Sequence, residues 1–178
     1  MRLKLNLDDI IVQLEIRGYR DWSPGEAIDW KHDWCETDYS FVSEPWLNYR
    51  VEHDDGVILS DEVRVLYSAL DQLLCGKLKK RTEIEFAEPD FFFVLQPKWN
   101  LWSRPGTIYV RPGCETVDIS AEWRIYIGAS GPISNYLSVA IYRNDIINLK
   151  NYLGLVSGKL SETDPEIARM IETETLIM

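Results

Sequence analysis

His32 and Cys35 stand three residues apart, a spacing at which an imidazole and a thiolate can share a metal ion or work as base and nucleophile. The chain has only one further histidine, His53, and its other cysteines, Cys75 and Cys114, are remote and form no CxxC pair. A zinc site wants paired ligands and a disulfide framework wants an even count, so we expect idle thiols in a reducing compartment and no metal. Two carboxylate pairs, Glu83/Glu85 and Asp118/Glu122, recur at the spacing that puts both side chains on one face of a strand. Such pairs do acid and base work in glycosidases, yet strand alternation alone produces them on any wetted sheet face. No GxSxG, GxxxxGK[ST] or strand-borne GxGxxG occurs. No catalytic residue and no cofactor are therefore expected, and the chain reads as a non-enzyme.

The elements that carry these residues are mostly strands. Leu3, Leu5 and Leu7, then Ile10, Val12, Leu14 and Ile16, alternate with polar residues around Asp8-Asp9, predicting a hairpin over 2–17. Strands are expected again over 38–43 and 47–53, with a turn at Asp54-Asp55-Gly56. Val63, Leu66, Tyr67, Leu70, Leu73 and Leu74 have helical spacing between a Ser60 cap and a Gly76 stop. From 82 to 143 the pattern is β throughout, including 82–86, 91–95, 107–111, a long alternation over 117–127 and a last strand near 137–141. Asn144 is read as the cap of a second helix ending at Gly154. An acidic tail from about 160 either docks or frays, with Ile167, Met170 and Ile171 as its one apolar face. Together these predict a mainly β (α+β) domain spanning 1–178, with two packed antiparallel sheets in a sandwich-like arrangement and one or two covering helices.

Residues 18–37 break the alternation. They hold Trp22, Trp30 and Trp34 among Glu26, Asp29, Asp33 and Glu36, and are read as a long surface connection. Tryptophans interleaved with acids suit an interface that anchors by large rings and steers by charge; equally, the rings can fold back over the sandwich. Trp22, Glu26, Asp29, Trp30, Asp33, Trp34 and Glu36 are thus the candidate partner-binding residues. Trp46 and Trp123 read as core, and Trp99 and Trp102 as loop residues that could stack on a sugar, the alternative being a carbohydrate-binding module.

Composition narrows the partners. With 19 Lys+Arg against 29 Asp+Glu, the net charge is -10, which argues against direct nucleic-acid binding despite the basic run Lys77, Lys79, Lys80, Arg81. No apolar run approaches membrane length, so no membrane partner is expected. The opening MRLKLNLDDIIVQLEI does not read as a signal peptide, and a cytoplasmic location is expected.

The stretch Glu83-Ile84-Glu85-Phe86-Ala87-Glu88-Pro89-Asp90-Phe91-Phe92-Phe93, preceded by Ala69-Leu70-Asp71-Gln72-Leu73-Leu74-Cys75-Gly76, resembles small bacterial immunity proteins paired with wall-associated or contact-dependent growth-inhibition toxins. The resemblance extends to the closing Tyr142-Arg143-Asn144-Asp145 and covers roughly residues 38–156. It implies a cytoplasmic protein without catalytic residues that binds one cognate toxin domain, one-to-one, often a nuclease acting on RNA. An acidic inhibitor of a basic, phosphate-binding cleft is consistent with that implication.

Overall fold

Alternation of apolar and polar residues builds the first sheet. The computed structural model describes residues 1–21, 33–88, 90–127 and 135–178. Strands β1 (Arg2–Leu7) and β2 (Ile10–Arg17) form the expected hairpin, closed by Asp8 in the left-handed region at φ 53°. β3 (Trp34–Ser43) and β4 (Leu47–Leu59) follow, and β11 (Leu176–Ile177) pairs with β1 from the far end of the chain. The antiparallel order is β11-β1-β2-β3-β4. Leu3, Leu5, Val12, Leu14, Tyr39 and Phe41 line its buried face.

The second sheet has the order β10-β9-β6-β5, from β5 (Thr82–Glu85), β6 (Phe91–Gln96), β9 (Ser120–Tyr126) and β10 (Tyr136–Tyr142), again all antiparallel. The two sheets meet through aromatic rings. Trp123, fully buried, stacks on Phe93 at 5.2 Å and meets Phe41 of the first sheet edge-on at 5.5 Å. Tyr39 contacts Phe91 across the same interface at 4.9 Å, edge-to-face geometry that adds to simple area burial. Helices α1 (Ser60–Leu74) and α2 (Arg143–Val156) complete the core with Val63, Leu66, Leu70 and Leu73 from one and Ile146, Leu149, Tyr152 and Leu153 from the other. The architecture is mainly β with antiparallel, packed sheets and covering helices.

Several local expectations need correction. β3 begins at Trp34, so residues 34–37 are strand rather than surface connection. The alternation was hidden because its outward residues, Trp34, Glu36 and Asp38, are aromatic or acidic while Cys35 and Thr37 point inward and are fully buried. The Asp54-Asp55-Gly56 step is no turn: β4 runs through it, and the polar residues are absorbed by register shifts against Cys35, Thr37 and Tyr39. Residues 107–111 are not a strand, and the 117–127 alternation divides into β8 (Thr116–Val117) and β9. β8 pairs instead with β7 (Trp99–Asn100). Asp118 therefore falls outside the strand bearing Glu122; it pairs with Arg143, and Glu122 with Arg124. Trp46 lies in the β3–β4 turn with 67% of its surface exposed, whereas Trp123 is core.

The helix ends differ in detail too. α1 stops where expected, with Gly76 at φ 66°. Its first turn is held by Glu62, whose Oε2 accepts the Leu59 N–H at 2.8 Å, and Ser60 is itself helical. α2 starts at Arg143 rather than after an Asn144 cap and runs through Gly154. That glycine is there for space: a Cβ would sit 3.0 Å from Leu160 Cδ1 and 3.2 Å from Tyr67 Cε2. Beyond residue 160 the chain forms α3 (Pro165–Glu172), which buries Ile167 and Met170 but leaves Ile171 40% exposed, and then returns to the first sheet as β11.

Candidate functional site

Where the end of β4 and the start of α1 meet the β5–β6 corner, carboxylates converge from two stretches of chain, 54–62 and 88–90. Glu62 builds the junction. Its Oε2 caps α1, while its Oε1 accepts the Ala87 N–H at 2.5 Å and so ties the corner to the helix. Burial raises the affinity of Glu62 for a proton against those two hydrogen bonds, and Asp61 and Glu88 add to the rise. Asp90, half-buried at the head of β6, is likewise pushed upward by burial, then by the negative charges of Asp54 and Glu88. Asp54 accepts the Gly56 N–H at 2.9 Å. Among the described residues, no Lys, Arg or His forms an ion pair with Asp54, Glu88 or Asp90. The junction is thus a set of like charges whose mutual repulsion an approaching cation would relieve.

A second cluster, on the outer face of the first sheet, is already neutralised. Arg17 donates from Nη2 to Glu36 at 2.8 Å and to Asp38 Oδ1 at 2.9 Å, and from Nη1 to Asp38 Oδ2 at 3.0 Å. Glu15 lies 3.1 Å from both Arg17 and Arg2. The Arg17 hydrogen bonds hold the Asp38 carboxyl down at about 2, against the opposing effect of burial. Glu15 is lowered too, because the two arginines outweigh its burial. His53, at φ 56° in β4, donates its backbone N–H to Asp38 at 2.7 Å, and its Nδ1 lies 2.6 Å from Glu36. That contact, followed by the charge of Asp38, makes the imidazole hold its proton more tightly than usual. Glu36, Asp38 and His53 offer ligand atoms within 4.8 Å of one another. The Arg17 guanidinium already occupies the cationic place beside the two carboxylates, so the arrangement fits an ion-pair network better than a metal centre.

The sequence-derived partner residues divide three ways. Trp22, Glu26, Asp29 and Trp30 lie outside the described residues, as does His32. Asp33 is 8% exposed, and its carbonyl accepts the Ser60 N–H at 2.9 Å. Trp34 is half-buried in β3, and Glu36 is held by Arg17 and His53. The structure therefore does not join these last three into one free acidic patch. It does bring the flanks of their segment together: the Arg20 N–H donates to Ser60 Oγ at 3.0 Å, and Asp33 meets the same residue. Both flanks end beside the helix start that carries Glu62. Asp54, Glu62, Glu88 and Asp90 were missed because no local spacing links them; the Glu88-Pro89-Asp90 corner was their one visible sign.

Of the other candidates, Glu83 and Glu85 are exposed on the edge strand β5, with Glu83 paired to Arg81. Cys35 is buried, and burial raises its thiol pKa, which disfavours a reactive thiolate. Trp102 is 51% exposed but Trp99 is half-buried in β7, so the pair offers one open ring rather than two. No protein-family model matches the sequence, and no curated protein is similar to it. The resemblance to immunity proteins therefore rests on its own residues. Among the described residues, no helix is long and apolar enough to cross a membrane.

Proposed function

We propose that this chain is a non-enzymatic immunity protein that binds one cognate secreted toxin domain, a nuclease acting on RNA, and occludes its basic active site in the cytoplasm. The observation that carries the reading is the carboxylate junction of Asp54, Glu88 and Asp90. A nuclease cleft must present Lys and Arg to phosphates, and such a cleft supplies the cations that this junction lacks among the described residues. Glu62 keeps the corner in place before any partner arrives, so little ordering is needed on binding. The convergence of residues 20 and 33 on Ser60 puts the flanks of the tryptophan-rich segment on the same side as the junction.

The test is association kinetics with the Asp54→Asn, Glu88→Gln, Asp90→Asn triple variant. Removing charges that repel one another leaves the fold at least as stable. The on-rate toward a basic toxin domain should fall about tenfold at low salt, with a weaker salt dependence. Unchanged rates and salt dependence would remove the junction as the binding site.

A further inference from the structure

Residues 97–114 carry Lys98, Arg104 and Arg111 and no carboxylate of their own; the adjoining acids are Glu115, whose Oε1 accepts the Gly113 N–H at 3.0 Å, and Asp118, which Lys98 faces. Strand β6 starts just after Asp90 of the acidic junction and ends at Gln96 at the root of this segment, which separates the two surfaces by about 20 Å. The segment is held at its base. The β7–β8 ladder pairs Trp99 with Val117, and the Leu101 N–H donates to the Glu115 carbonyl at 2.8 Å. Asn100 Oδ1 accepts the Trp102 N–H at 2.9 Å, and Thr107 Oγ1 donates to the Leu101 carbonyl at 3.1 Å. Val110 is buried, yet its neighbours Ile108 and Tyr109 are 97% and 75% exposed. An aliphatic tip is thus presented by a braced loop, with Arg104 and Arg111 beside an open hollow of about 670 Å³.

We infer that this loop docks on an anionic lipid surface, with Ile108 and Tyr109 entering the interface and Arg104 and Arg111 meeting phosphates. The juxtaposition of groups carries the choice. Ile108 and Tyr109 line one open hollow together with Arg104 and Arg111, and an exposed apolar tip next to cations matches the boundary where acyl chains give way to charged headgroups. A nucleic acid would stack on rings such as Tyr109, but the most exposed tip residue is the aliphatic Ile108, which stacking would not use. That no helix among the described residues is long and apolar enough to cross a membrane does not bear on a surface loop. The inference is independent of toxin binding, because it uses other residues at the other end of β6.

The experiment is co-sedimentation of the full chain with phosphatidylcholine vesicles and with vesicles one-third phosphatidylglycerol. About tenfold stronger partitioning onto the anionic vesicles is expected, falling with added salt. Ile108→Asp should reduce it to the phosphatidylcholine level, with melting unchanged because the side chain is already in solvent. Arg104→Gln with Arg111→Gln should abolish the preference for anionic lipid. Equal partitioning on both vesicles, or none, would overturn the inference. So would unaltered binding by Ile108→Asp, or release by millimolar inorganic phosphate, which would mark a free-anion site. Binding to a short oligouridylate in place of vesicles would reassign the loop to nucleic acid.

Discussion

Replacing Asp38 with asparagine tests the charge network on the first sheet. In the folded chain Arg17 holds the Asp38 carboxyl at about 2, down from an ordinary 3.8. At about 1.4 kcal/mol for each tenfold change in proton affinity, that difference amounts to about 2 kcal/mol. The Asp38 side chain is only 11% exposed, so solvent screens it little. A carboxyl depressed in the folded state contributes its stability above the unfolded pKa and loses it as pH falls through the folded one. Asp38→Asn should therefore be about 2 kcal/mol less stable than the parent at pH 7, and the gap should close between about pH 4 and pH 2. Urea unfolding of both proteins along a pH series reads it directly. Asp118 is the internal comparison: Arg143 likewise holds it at about 2, but its side chain is 54% exposed. Screening should reduce the cost of Asp118→Asn to below about 1 kcal/mol. A gap for Asp38→Asn that stays constant with pH, or equal losses in the two variants, would refute the reasoning.

Other perturbations are read by melting. Tyr152 is fully buried, and its hydroxyl accepts the Ile16 N–H at 2.7 Å, beyond the last β1–β2 pair at Leu3 and Leu14. Tyr152→Phe should orphan that N–H, cost about 2 kcal/mol and lower Tm by about 4–8 °C; no change would mean another acceptor replaces it. Gly154→Ala would normally strengthen a helix by about 1 kcal/mol, but the Leu160 and Tyr67 contacts should reverse the sign and lower Tm. A raised Tm would show that Leu160 yields freely.

Much of the layer architecture was legible because one-sided burial writes itself into period-two alternation. The 2–17 hairpin, the 60–74 helix and the Phe91–Leu95 strand all follow from that rule or its helical counterpart. It failed where the wetted face was unusual. At Trp34–Thr37 a tryptophan and acids on the outer face looked like loop chemistry. At Thr107–Arg111 alternation occurs without a strand to pair with among the described residues, and Ile108 ends in solvent. The candidate site was less legible than the fold. Its acids come from β4, α1 and the β5–β6 corner, and only the chain's return through two sheets brings them together. Composition announced an acidic chain; it could not separate Glu36, neutralised by Arg17, from Asp90, which has no such partner among the described residues.

The most direct measurement is calorimetric titration of this chain with a candidate cognate toxin domain of the kind the immunity reading requires, run with an RNA-cleavage assay. One-to-one binding in the nanomolar range with loss of cleavage is the expected result. Absence of binding would contradict the immunity reading.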